Sequence, residues 1–159
     1  KKFLKKHKKI IIKPIHSYGG NDINLISGKL NLLKIKQILK KHGHIMCQKF
    51  LNKIKFGDKR VFIINGKVCG AISRVPKSGS ILSNMSKGAK PKIAFLSNKE
   101  LKVSNIIAKK IKKDGIYFAG IDFIDGKLNG DINVTSPTGI KTYFDLSQIN
   151  LAKTFWKGL

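Results

Sequence analysis

Between Ile116 and Thr138 the chain runs Ile-Tyr-Phe-Ala-Gly-Ile-Asp-Phe-Ile-Asp-Gly-Lys-Leu-Asn-Gly-Asp-Ile-Asn-Val-Thr-Ser-Pro-Thr. Few structures suit that order. Ile116 to Ile124 is β-branched and aromatic, Asp125-Gly126 is a hairpin turn, and a second strand ends at Val134 before Pro137 stops it. Only eight residues in the chain are acidic, and Asp122, Asp125 and Asp131 all fall here. On a strand, Asp131 and Asn133 project from one face, and Asp122 can join them across the ladder. Two carboxylates and an amide carbonyl are hard oxygen ligands that suit Mg²⁺ on nucleotide phosphates better than a transition metal. On spacing alone, a plain exposed hairpin with polar tips explains the stretch equally well.

The length of 159 residues fits one domain with a real core, and 42% of the residues are hydrophobic. No apolar run reaches the length of a membrane span, and the lysine-rich start lacks the apolar centre of a signal peptide. Cys47 and Cys69 have no metal spacing and read as reduced core thiols of a cytoplasmic protein.

The net charge of +25 invites a nucleic-acid reading, but its make-up argues otherwise. Of the 33 basic residues 31 are Lys, and Ile and Asn are also abundant, as an AT-rich coding sequence would impose. Arg, the usual base reader, is nearly absent, and no basic strand carries a row of aromatics for stacking. Nucleic acid is therefore not the expected partner. The same bias singles out Arg60 and Arg74, because a position that has kept Arg is a candidate for a bidentate bond to carboxylate or phosphate.

Along the chain, Lys1 to His7 reads as the tail of an amphipathic helix, and Ile10 to Pro14 as a buried strand carrying Lys13. A loop, His16-Ser17-Tyr18-Gly19-Gly20, follows; its amides and the Lys13 ammonium together suit phosphate, or else it is a plain turn. Asn21 to Ile26 is a second strand, Leu30 to His42 an amphipathic helix, and Ile45 to Leu51 a third strand. Gly57-Asp58-Lys59-Arg60 leads into Val61 to Ile64, Asn65-Gly66 is the strongest hairpin signal, and Lys67 to Val75 returns. Ser78 to Lys92 is a long polar connection. Ser97 and Glu100 form a capping box that opens a helix to about Lys113. From Thr142 to the end the pattern is helical. The order predicts an α+β domain with a mainly antiparallel sheet covered by helices.

Taken together, Gly120-Ile121-Asp122, Asp131-Ile132-Asn133-Val134-Thr135-Ser136-Pro137-Thr138, Gly57-Asp58-Lys59-Arg60-Val61, Arg74-Val75-Pro76, and Ile12-Lys13-Pro14 with Gly19-Gly20 resemble the ATP-grasp domain of prokaryotic glutathione synthetase. The blocks cover nearly the whole chain in the family's order. The resemblance implies an ATP-dependent carboxylate–amine ligase of the cytoplasm that joins γ-glutamylcysteine to glycine through an acyl phosphate. It implies that Lys13, with Gly19 and Gly20, contacts ATP phosphates, that Gln48, Lys49, Phe50 and Leu51 hold adenine, and that Asp58 lies near the ribose. Asp122, Asp131 and Asn133 would hold Mg²⁺, Arg60 and Arg74 would face the substrate carboxylate and acyl phosphate, and Asn84, Thr135 and Ser136 would contact substrate. The chain departs from the pattern in four places. His16-Ser17-Tyr18 replaces Asp-Gly-Met, Leu82-Ser83 replaces Arg-Gly, Asp131 replaces Glu with Gly130 inserted before it, and Lys141 replaces Arg. A β-bulge at Gly130 is expected to reposition the shorter carboxylate.

The family also has an N-terminal domain and a central segment ahead of the point where this chain begins. The chain thus reads as the incomplete C-terminal ATP-grasp half of an enzyme, homo-oligomeric at full length and inactive as this piece alone. The alternative is a degenerate, non-catalytic domain that serves as a basic, polyanion-binding module.

Overall fold

The computed structural model describes residues 1–16 and 19–158; within them, the side chains of Asn129, Gly130 and Asp131 are outside the description. The chain forms two compact units, Lys1–Asn52 and Lys53–Leu159.

In the first unit, α1 (Lys2–His7) leads into β1 (Lys9–Pro14), followed by β2 (Asn24–Ser27), α2 (Leu32–His42) and β3 (Ile45–Lys49). The strands form an antiparallel sheet in the order β2-β1-β3. Its small core comprises Leu4, Ile10, Ile12 and Ile26, with Leu30, Ile35 and Ile45 against it. Asn31 caps α2 by accepting from the Lys34 amide at 3.0 Å, and Gly43 closes the helix. Cys47 is exposed rather than a core thiol, because β3 is an edge strand with incomplete cover.

The second unit contains β4 (Asp58–Ile64), β5 (Lys67–Val75), β6 (Lys90–Ile93), α3 (Asn98–Lys113), β7 (Phe118–Ile124), β8 (Lys127–Asn133), α4 (Ile140–Ser147) and α5 (Leu151–Trp156). Its sheet is antiparallel throughout, in the order β6-β5-β4-β7-β8. Being central, β4 is covered on both faces, which is why Val61, Phe62, Ile63 and Ile64 form an unbroken apolar run. Strand alternation then sorts the neighbours. Val61, Ile63, Ala71, Ile121 and Phe123 pack with Ala108 and Ile111 of α3, whereas Phe62, Ile64 and Ile72 pack with Tyr143 and Leu151 of the last two helices.

The two turn signals hold, with Asn65, Gly66, Asp125 and Gly126 all at positive φ between their strands. Two expectations differ in detail. The connection expected from Ser78 to Lys92 contains a 3₁₀ turn at Met85–Lys87 and ends inside an edge strand, where Pro91 costs little because one side of that strand needs no ladder bond. The single C-terminal helix is two helices, because Gln148 takes a left-handed conformation at φ 61° and Asn150 caps a new start through the Lys153 amide.

Before α3, Ser97 and Glu100 cap each other, and the buried Glu100 carboxylate also accepts from Lys59 Nζ at 2.8 Å. Burial pushes the Glu100 carboxyl up, but Lys59 and the Ser97 donors outweigh it and hold it below the usual range. A folded-state pKa below the unfolded one stabilises above the ordinary Glu range and is lost as pH falls through the folded value. Glu100→Gln should therefore cost about 1–2 kcal/mol at pH 7 in urea titrations, with the gap to the parent closing in acid.

Candidate functional site

The register of β4 assembles the charged centre of the second unit. Asp58 lies opposite Arg74 on β5, and Arg60 lies opposite Asp122 on β7. Direct cross-strand partners share a face, and Asp58 and Arg60 are two residues apart on one strand, so all four side chains meet on the Phe62–Ile72 face. Each is at most 8% exposed. Arg74 grips Asp58 through Nε at 2.8 Å and Nη2 at 2.5 Å, and the same Nη2 lies 2.9 Å from Asp122 Oδ2. Arg60 grips Asp122 through Nε to Oδ1 and through Nη2 to Oδ2 at 2.8 Å, while Nη1 reaches the Thr138 carbonyl at 3.3 Å. Both retained arginines thus make the planar bidentate bonds that Lys cannot make.

Two acids and two bases cancel in formal charge, as burial requires. Burial pushes Asp122 up, but the Arg60 bonds and then Arg74 more than reverse this and hold its carboxyl below the usual range. Burial opposes charge on Arg74 as well, yet Asp58 and Asp122 raise its pKa further. Asp58 is pushed up, chiefly by burial and helped by the nearby Asp122 charge, against the pull of Arg74.

Near this centre, β8 pairs irregularly. Gly120 and Ile121 face Asn133 and Ile132, while Phe123 and Ile124 face Leu128 and Lys127, and the register shifts between Ile121 and Phe123. The extra backbone lies opposite Asp122, where a bulge was expected. Asp131 belongs to that stretch, and its side chain lies outside the described residues. Asn133 folds its own turn: Oδ1 accepts from the amides of Thr135 at 3.2 Å and Ser136 at 3.1 Å, and Nδ2 donates to the Ser136 carbonyl. Thr135 and Ser136 are therefore tied to Asn133. A carboxylate and an amide oxygen are the hard donors Mg²⁺ takes, so the donor set fits in kind. Among the described residues no three His, Cys, Asp or Glu side chains converge on one point.

In the first unit Lys13 is buried on β1 opposite Met46. Gly19 and Gly20 follow at φ 65° and 76°, whereas Ser17 and Tyr18 of the same loop lie outside the described residues. Gln48 and Lys49 sit on edge strand β3, and beyond its end Phe50 donates its amide to the Lys9 carbonyl at 3.1 Å. Leu51 is half-buried after it. In the second unit Asn84 opens the 3₁₀ turn, accepting from Lys87 at 2.9 Å.

Sequence reasoning placed Asp58 near the ribose, Asp122 on Mg²⁺ and both Arg60 and Arg74 on the substrate carboxylate and acyl phosphate, and missed that the four hold one another. The Asn65-Gly66 turn carried part of the signal, since strands extended from it bring 58 to within one residue of 74. The one-residue correction is the register shift between Phe62 and Ile63. Gly120 lines the same centre: a Cβ there would lie 2.9 Å from Arg60 Cδ and 3.1 Å from its Nε. Gly120→Ala should displace the Arg60 fork and cost about 1–3 kcal/mol in urea titrations.

Comparison with known proteins places this geometry. The family model for the prokaryotic glutathione synthetase ATP-grasp domain matches residues 1–148. A glutathione synthetase of Synechocystis sp. is 33% identical over 96% of this chain and 48% of its own length. One from Rhodopseudomonas palustris is 34% identical over 97% of this chain and 50% of its own length. The chain thus spans about half the length of the curated relatives it matches. Among solved structures, a D-alanine–D-alanine ligase from Bacillus anthracis complexed with ATP shares the fold at a TM-score of 0.66 and 14% identity, over 97% of this chain and 53% of that one. The ATP-grasp ligase PsnB, solved with Mg and ADP, gives 0.63 and 18% identity, over 99% of this chain and 47% of its own. The α+β fold is that of the ATP-grasp ligases, and the chain belongs to the prokaryotic glutathione synthetase family, matching its ATP-grasp domain.

Proposed function

We propose that this chain binds Mg·ATP as the nucleotide half of a ligase that joins γ-glutamylcysteine to glycine. In that reaction the substrate carboxylate attacks the γ-phosphorus, ADP leaves, and the glycine nitrogen then displaces phosphate from the acyl carbon. The observation that carries the reading is the buried face on which Arg60 and Arg74 flank Asp122. It supplies a hard oxygen ligand beside two permanently charged forks, which is what neutralising a transferring phosphoryl group requires.

In the first unit, Lys13 would contact phosphate from β1 while the Gly19-Gly20 backbone covers it. Gln48 to Leu51 would hold adenine, the open edge of β3 offering backbone groups to the base. In the second unit, Asp122, Asp131 and Asn133 would hold Mg²⁺, which when bound screens the β- and γ-phosphate charges. Arg60 and Arg74 would take the substrate carboxylate and then the acyl phosphate, and Asn84, Thr135 and Ser136 would bound the peptide substrate. Asp58 keeps its proposed place near the ribose, its carboxylate already gripped by Arg74. Leu82-Ser83 in the substrate loop leaves that loop without the family's basic clamp, so this chain alone is proposed to bind nucleotide without completing ligation.

Thermal unfolding tests the proposal. Saturating Mg·ATP, about a hundredfold above its Kd, should stabilise the chain by about 3 kcal/mol, and Asp131→Ala should abolish the shift. No shift at millimolar nucleotide, combined with salt-sensitive binding of DNA or RNA, would replace this reading with that of a polyanion-binding module. Phosphate release with γ-glutamylcysteine and glycine should stay at background for the chain alone.

A further inference from the structure

The two arginines of the buried face are not held alike. Arg74 has two carboxylate partners, with a two-point grip on Asp58 and a 2.9 Å contact to Asp122. Arg60 has one among the described residues, Asp122, and a weaker bond to the Thr138 carbonyl at 3.3 Å. Asp122 therefore serves both arginines while Asp58 serves Arg74. Gly120, opposite Asn133 on the sheet, leaves Arg60 lying against bare backbone.

A cation on Asp122 would have to draw carboxylate oxygens away from these donors. Arg74 would keep its two-point grip on Asp58. Arg60 would lose its carboxylate, and a guanidinium cannot shed its proton to relieve the loss. It would need another anion. We propose that Arg60 is a latch on Asp122 and that Asp58 is a positioning residue keeping Arg74 in place, so that a divalent cation and an anion bearing phosphate or carboxylate bind this face as a pair. The inference rests on Asp122 being a cation ligand. It goes further by making metal affinity depend on Arg60 and Asp58, neither of them assigned to the metal.

Calorimetric titration of the 159-residue chain with Mg²⁺ at constant ionic strength tests this. In chloride alone, binding should be weak. Millimolar inorganic phosphate or acetate, with their own association with Mg²⁺ subtracted, should tighten it about fivefold or more. Tightening by phosphate alone identifies a phosphoryl ligand and by acetate alone a carboxylate; tightening by neither overturns the proposal, and this comparison needs no variant. Arg60→Lys keeps the charge and removes the fork, so Mg²⁺ alone should bind about fivefold tighter or more, with most of the anion effect gone. Charge repulsion without a latch predicts no change for this variant, and that result would sink the idea. In Asp58→Asn, Arg74 is left to Asp122, so Mg²⁺ should bind more weakly, and Asp58→Glu should restore the affinity. Urea midpoints establish that each variant is folded. If Mg·ATP fails to stabilise the parent chain, the ligand role of Asp122 itself falls. If Mg·ATP stabilises it while Arg60→Lys leaves Mg²⁺ affinity unchanged, only the latch falls.

Discussion

The second unit depends on a balance of charge inside a β-sheet. Asp58, Arg60, Arg74 and Asp122 are all buried, and an isolated ion at that depth would cost far more than any single contact returns. Two acids matched to two guanidiniums through planar, two-point bonds meet that cost. Every neighbouring feature complies: Gly120 has no side chain, β4 is covered on both faces, and the strands beside it bring exact opposites into line.

This arrangement also explains a peculiarity of the composition. Only two of the 33 basic residues are Arg, and these two occupy the two most buried cationic positions of the sheet. Lys at either position would supply the charge from a compact ammonium on a flexible stem, without the rigid planar fork that lies in line with both carboxylate oxygens. The surface lysines carry no such constraint, so the overall charge of +25 says little about function while two residues say much.

Local physics was legible in the sequence where it acts over a few residues. Asn65-Gly66 and Asp125-Gly126 take the positive φ their turns need, and Ser97 with Glu100 caps α3 as their spacing predicts. The motif blocks made the family legible as well. The pairing of β4 with β7 was not, because more than fifty residues separate them and no local preference records which strands meet. The quartet follows from that pairing, so it stayed hidden. Lys90–Ile93 escaped notice because Lys-Pro-Lys-Ile contains a breaker that only an edge strand tolerates.

The odd–even sorting along β4 carries one more consequence. Sliding β4 by a single residue would turn Asp58 and Arg60 toward the apolar residues of α3 and place Val61 among the charges. Apolar residues alone would oppose that slip weakly, since Val61, Phe62, Ile63 and Ile64 could exchange faces with modest repacking. The buried charges oppose it strongly. Residues proposed to serve the chemistry thus also act as an alignment key, disfavouring misregistered sheets before any ligand is bound.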